Sequence, residues 1–227
     1  MSVTGAKIAA AFKELKGQYG GTQNDYFGLV YLEEEMNLTR DEAVEHVAYG
    51  PHDSGIDGFH LEARKRTLHL FAFRHQRAHD NFRDAYDALL NGGLEQVFGN
   101  GSANDPLIRR LRKRMAEEKG AIDRVRFQFV FLGDPADAER STVLEKLRED
   151  LENKQYVINQ YFGGRRVTMV VQYRSVTGRT SEAREHRTHR FEVEVDEVLQ
   201  ARGPQHEAMH VGFMRLWDLY QMHKEMG

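Results

Sequence analysis

Two apolar runs of β-forming residues, Ile56 to Leu61 and Leu68 to Phe73, stand on either side of the charged tripeptide Arg64-Lys65-Arg66. Such runs joined by a short polar turn read as a β-hairpin. An acidic, glycine-containing turn, Asp53-Ser54-Gly55, leads into the first strand, and Arg74-His75 closes the second. Side chains alternate along a strand, so Asp57, Phe59 and Leu61 share one face of the first strand, and Leu70, Ala72 and Arg74 share one face of the second. Asp57 and Arg74 can therefore meet, with Ala72 beside them and Glu62 on the opposite face.

The hairpin sits among helices. Ala9, Phe12 and Leu15, then Phe27, Val30 and Tyr31, recur at helical spacing, with Gly20-Gly21 as the break between them. Thr39-Arg40-Asp41-Glu42 is a capping box that opens a third, short helix through Val47. Downstream, Phe82, Tyr86, Leu89 and Leu90 mark a helix stopped by Asn91-Gly92-Gly93, and Leu107, Leu111 and Met115 mark another. Val125 to Leu132 and Val167 to Tyr173 are strand patterns, with a helix from Val143 to Leu151 between them. The alternation of strand and helix predicts parallel pairing and an α/β sandwich. Phe191 to Val195 adds a further strand and Trp217 to Met226 a closing helix, while Thr177 to Glu185 reads as an exposed loop.

Composition excludes several classes. The chain has 227 residues, 40% hydrophobic, with a net charge of −3. That balance announces no polyanionic partner for the whole surface, so any nucleic-acid contact must be local. The absence of cysteine excludes disulfides, thiolate zinc sites and cysteine nucleophiles. The longest apolar runs fall well short of the roughly 18 residues of a spanning helix, and the start lacks a signal-peptide core. The expectation is a cytoplasmic chain with no membrane partner.

An acidic turn and a cation at the open end of a hairpin are also the parts of a two-strand nuclease site, in which carboxylates from neighbouring strands hold one Mg²⁺ and a lysine activates water. The stretch resembles the N-terminal, PD-(D/E)XK nuclease-like region of the abortive infection phage resistance family, AIPR. The pattern there is a Gly-rich acidic turn, G-I-D, a strand, a short acidic turn, and a strand ending Q-x-K. Gly55-Ile56-Asp57 matches the G-I-D, Phe59-His60-Leu61 the strand after it, and Leu70-Phe71-Ala72-Phe73-Arg74 the strand ending Q-x-K. The likeness extends upstream over Tyr26 to Tyr49 and downstream to Met209-His210-Val211-Gly212-Phe213 and Leu216 to Tyr220, although only the central hairpin is specific. Such proteins are usually longer, so this chain looks like an N-terminal portion or a short relative.

The resemblance implies a restriction-endonuclease-like α/β sandwich with a mixed central sheet flanked by helices. It implies one domain over 1–227, with a helical lead-in over 1–50, the motif hairpin over 51–77 and the remaining elements over 78–227. It also implies Mg²⁺ or Mn²⁺ as cofactor at Asp57, with Asp57 and Arg74 as catalytic positions and nucleic acid, a protein partner or a second copy as partner. Two departures stand out. Ala72 has no oxygen to offer a metal, and an arginine at position 74 stays protonated and cannot act as a base, although it can hold a phosphate. Two readings follow, a pseudo-nuclease that binds nucleic acid or assembles with a partner, favoured by Ala72, and an active metal-dependent endonuclease.

Other motifs compete. His206-Glu207-Ala208-Met209-His210 matches the H-E-x-x-H of zinc peptidases. Among eleven histidines such a match arises readily, and Ala208 to Met214 fits a strand at least as well, which makes zinc the weaker cofactor expectation. His60, His69 and His75 fall on the hairpin face opposite Asp57, and sheet histidines of this kind are usually partly buried; His75 and His79 stand one helical turn apart and read the same way. Arg109, Arg112 and Lys113 project from one side of the helix that carries Leu107, Leu111 and Met115, and are the candidate phosphate contacts, with Arg165-Arg166 and Arg187 near the sheet edges.

Overall fold

The structure, a computed structural model, describes residues 3–51, 54–75, 82–101, 103–133, 138 and 141–176, and the backbone alone of 195–202 and 208–214. The chain divides into two compact units, Met1–Thr180 and Ser181–Gly227, and each is described by itself. The hairpin and the basic helix both belong to the first.

Three helices lead in: α1 (Gly5–Tyr19), α2 (Gln23–Glu35) and α3 (Arg40–Glu45). The capping box at Thr39 forms, with Thr39 N–H donating to Glu42 Oε2 at 2.9 Å and Glu42 N–H to Thr39 Oγ1 at 3.4 Å. α2 is buried on nearly every side from Asp25 to Leu32, which is why its apolar residues crowd all round rather than forming a stripe. β1 (Gly58–Glu62) and β2 (Thr67–Arg74) then form the hairpin, antiparallel, with Phe59 opposite Leu70 and Leu61 opposite Leu68. Their link is a single 3₁₀ turn, Ala63–Lys65, closed by Arg66 in the left-handed region at φ 53°.

After the hairpin come α4 (Arg83–Ala88), α5 (Leu94–Phe98) and α6 (Pro106–Glu117), then β3 (Arg124–Phe131), α7 (Thr142–Glu152), α8 (Gln155–Tyr161) and β4 (Thr168–Ser175). The sheet order is β1-β2-β3-β4, with β2, β3 and β4 parallel and β1 antiparallel. The fold is thus an α/β arrangement with a mixed four-stranded sheet flanked by helices. Leu68, Leu70 and Ala72 of β2 and Val125, Phe127, Phe129 and Phe131 of β3 pack against α4 to α8. The alternate residues Phe71, Phe73 and Val130 pack against α1, α2 and α3. β2 is central and covered on both faces, so all but its last residue is buried.

The sequence reading needs correction at two helices. The chain does not leave the helix for good at Asn91-Gly92-Gly93; it makes one π-helical turn, Leu89–Gly93, with Gly92 at φ 128°, and resumes as α5. Burial of Leu94, Val97 and Phe98 outweighs the helix-breaking tendency of the glycines, whose positive φ redirects the axis. α8, a further seven-residue helix, was not expected.

The second unit contains the antiparallel pair β5 (Val195–Arg202) and β6 (Ala208–Met214). The strand expected over Phe191 to Val195 meets β5 only at its last residue, and Phe191 to 194 lie outside the described residues, as do the Trp217 to Met226 helix, the Thr177 to Glu185 loop and Arg187.

Candidate functional site

Asp57 occupies the extended segment just before β1. Its N–H donates to the Phe71 carbonyl at 2.7 Å and its carbonyl accepts from Ala48 N–H at 2.9 Å, so the backbone is pinned on both sides. Beyond the Gly58–Phe71 pair β2 has no strand neighbour on that side among the described residues, and side chains take over. The Asp57 Oδ2 accepts the Phe73 N–H at 2.5 Å and the Arg74 Nη1 at 3.0 Å. Asn24 satisfies the rest, donating from Nδ2 to the Phe73 carbonyl at 2.9 Å and accepting His75 N–H at Oδ1 at 2.8 Å. The Phe73 N–H and carbonyl and the His75 N–H, which run past the end of the ladder, are thereby paired.

Gly55 explains why the turn before Asp57 is glycine. It sits at φ 73°, and a Cβ there would lie 2.4 Å from the Ala85 carbonyl oxygen of α4. The backbone can approach α4 that closely only without a side chain.

Around this hairpin end lies a cleft of about 340 Å³, walled by Thr22, Asn24 and Asp25 at the start of α2, by Gly50-Pro51, and by Asp57, Arg74 and Asp84. It opens at the carboxyl end of β2, where ligands of open α/β sheets usually bind. Asp25 is buried and shapes the rim, accepting Thr22 N–H at 2.8 Å and Gly50 N–H at 3.2 Å on Oδ2. Asn24 and Asp25 escaped the sequence reading. The signal was present for Asp25, since Thr22-x-x-Asp25 has capping-box spacing, but nothing local ties α2 to the hairpin.

The described residues of this cleft do not offer a Mg²⁺ or Mn²⁺ ion a fitting ligand set. The inner Asp57 oxygen is taken by an N–H and a guanidinium, Ala72 is packed in the apolar cluster under the sheet, and Mg²⁺ demands several oxygens in near-octahedral array. Among the described residues no three His, Asp or Glu side chains gather around a metal-sized space. For the zinc motif, Ala208–Met214 is a strand, so His210 does not lie on the helix that H-E-x-x-H requires; His206 and Glu207 lie outside the described residues.

The basic helix α6 uses most of its arginines internally. Arg109 Nη1 donates to the Asn104 carbonyl at 3.0 Å. Arg112 donates to the Gly101 carbonyl and, at 3.2 Å, to that of Glu95. Arg110 clamps the end of α3, reaching the Glu45 carbonyl at 2.7 Å and that of Val47 at 3.3 Å. Of the three expected phosphate contacts, Lys113 alone has no side-chain partner among the described residues.

On the opposite face of the hairpin, His60 and His69 stack with ring centroids 6.1 Å apart, and His46 at the end of α3 lies 6.2 Å from His60. Burial pushes all three imidazoles toward the neutral form, His46 and His69 down to about 4. His69 Nδ1 faces Gln128 Nε2 at 3.4 Å, and Nε2 faces Glu62 Oε2 at 3.4 Å. His75 stands apart beside Phe27, and His79 lies outside the described residues. This face is a packed polar layer behind the strands.

Comparison with protein-family models, with curated proteins and with solved structures found no match.

Proposed function

We propose that this chain is a nuclease-like domain of the abortive-infection type whose metal chemistry has been replaced by an ion pair, leaving a role in binding nucleic acid or in assembly. One observation carries this reading: the Asp57 carboxylate is held by Arg74 and by the Phe73 N–H, with Ala72 where the second strand would supply a metal ligand. The hairpin is followed by parallel strands through helical crossovers, an arrangement compatible with a restriction-endonuclease-like sandwich. Gly55 and Asp57 both serve the fold, through the close approach to α4 and the bond to the Phe73 N–H, which supports reading the G-I-D turn as structural in this chain.

The test is incubation of the purified chain with single- and double-stranded DNA and RNA in Mn²⁺, beside Asp57→Asn, which keeps a side-chain acceptor for the Phe73 N–H. The expected result is no cleavage by either protein. Cleavage by the wild type that disappears in Asp57→Asn would overturn the proposal and establish an active endonuclease.

A further inference from the structure

The β1–β2 turn and the amino ends of β2, β3 and β4 lie at the other end of the sheet from the Asp57 cleft. Register places Thr67, Arg124 and Thr168 in one row across three parallel strands. The backbone ties this row together: Asp123 and Arg124 N–H both donate to the Arg66 carbonyl, at 2.9 and 3.2 Å, and Thr168 N–H donates to the Asp123 carbonyl at 2.9 Å. Gathered here are Arg64, Lys65 and Arg66 from the turn, Arg124 from β3, and Arg165 and Arg166 from the approach to β4, all exposed or half-exposed.

Two carboxylates in this row pair with three of the six cations. Asp123 is shared, with Arg66 Nε on Oδ2 at 2.5 Å and Arg165 Nη1 on Oδ1 at 2.6 Å. Glu62 pairs with Lys65 at 2.9 Å. Arg64, Arg124 and Arg166 have no side-chain partner among the described residues. The chain as a whole carries net charge −3, so this excess is a local concentration and not a consequence of composition. Two of the guanidiniums are also braced in place, Arg66 by the Gly120 carbonyl at 3.3 Å and Arg165 by the Lys119 carbonyl at 3.0 Å. Holding cations in fixed positions beside uncompensated ones lowers the ordering cost of receiving an anion. On α6, Arg109, Arg110 and Arg112 are tied to backbone carbonyls and Arg114 to the Glu117 carboxylate, which leaves Lys113 as its one cation with no side-chain partner among the described residues.

We propose that this basic end of the sheet is a binding surface for the phosphate backbone of nucleic acid. Neighbouring strands are about 4.8 Å apart, which spreads the row over roughly 10 Å before the side chains add their reach. A duplex presents one phosphate charge per roughly 1.7 Å of its axis, so the row faces several phosphates at once. Arginine forks suit phosphate oxygens, and nothing in the row reads a base edge, so binding is independent of sequence. The surface lies apart from the Asp57 cleft and does not depend on whether that cleft holds a metal.

The test is fluorescence anisotropy with a short labelled DNA duplex, in EDTA, over 50 to 200 mM salt. The triple variant Arg64→Gln/Arg124→Gln/Arg166→Gln removes only exposed, unpaired charges, and Lys113→Gln on α6 is the comparison; unchanged thermal unfolding checks that both fold. The triple variant is expected to lose at least tenfold in affinity, with the log–log salt slope reduced by about three, while Lys113→Gln stays within twofold of wild type. The proposal is overturned if the triple variant binds like wild type, if Lys113→Gln loses as much, or if wild type ignores duplex at low salt while binding vesicles of anionic phospholipid. EDTA keeps this outcome separate from the Mn²⁺ cleavage assay, so either proposal can fail alone.

Discussion

The Asp57 carboxylate and the Arg74 guanidinium meet at 3.0 Å across the open end of the hairpin, with the Asp57 side chain only 8% exposed and that of Arg74 21% exposed. Removing one member of such a pair leaves the other partly desolvated without its counter-charge, and removing Asp57 also strips the Phe73 N–H of its acceptor. Asp57→Ala should therefore lower stability by about 2–3 kcal/mol in urea titration, and Arg74→Ala by somewhat less because the guanidinium is the more hydrated partner. An Asp57→Ala chain as stable as wild type would show that the pair is not a structural lock.

Gly55 and Gly20 separate two costs that both attend a glycine at positive φ. Gly20 has φ 71° with nothing within 4 Å of an added Cβ, whereas at Gly55 that atom would lie 2.4 Å from a backbone oxygen. Gly20→Ala should cost about 1–3 kcal/mol, the penalty for placing an L-residue in a backbone conformation, φ 71° and ψ −141°, that is close to glycine-only. Gly55→Ala should cost clearly more, because α4 must move away from the turn, and differential scanning calorimetry of the two variants compares them directly.

The histidines behind the hairpin make stability depend on pH. Their folded pKa values lie below the ordinary 6.5, at about 4 for His46 and His69. The folded state thus favours the neutral rings, and stability is full above pH 6.5 and declines as pH falls toward 4. Burial is the main cause; the facing charges are Glu62 and Arg126 at His69, Glu42, Arg110 and Arg114 at His46, and Glu62 and Glu42 at His60. Near pH 5 each of His46 and His69 withdraws at most about 2 kcal/mol. Urea midpoints at pH 7.5 and pH 5 measure the difference, and His69→Gln should shrink it; an unchanged difference would assign the acid sensitivity elsewhere.

Arg110 tests the structural role of α6. It donates to the Glu45 and Val47 carbonyls at the end of α3, and charged-donor bonds of this kind each contribute more than neutral ones. Arg110→Ala should destabilise the chain by about 1–2 kcal/mol while leaving duplex affinity within twofold. A large loss of affinity without loss of stability would return α6 to the nucleic-acid surface.

What was legible in the sequence was local. Short apolar or alternating runs of β-forming residues placed β1, β2, β3 and β4, and Thr39-x-x-Glu42 placed the start of α3, because each signal is contained within a few consecutive residues. Strand parity alone put Asp57 and Arg74 on one face. The glycines at 92 and 93 misled for the same reason: they mark a change of direction, and burial of Leu94, Val97 and Phe98 decided that a helix follows.

The sequence by itself determined the α/β class, the hairpin and the meeting of Asp57 with Arg74, since propensity and periodicity act along the chain. Tertiary structure alone decided that Asn24 and Asp25 line the same cleft, that His46 joins His60 and His69, and which basic residues are free. In the sequence, Arg109 to Arg114 is the denser run of charge, and Arg64, Arg124 and Arg166 are scattered. Packing reverses their standing. Local contacts hold the arginines of α6, three on backbone carbonyls and Arg114 on Glu117, whereas parallel strand register brings the scattered ones to one edge with too few carboxylates to neutralise them.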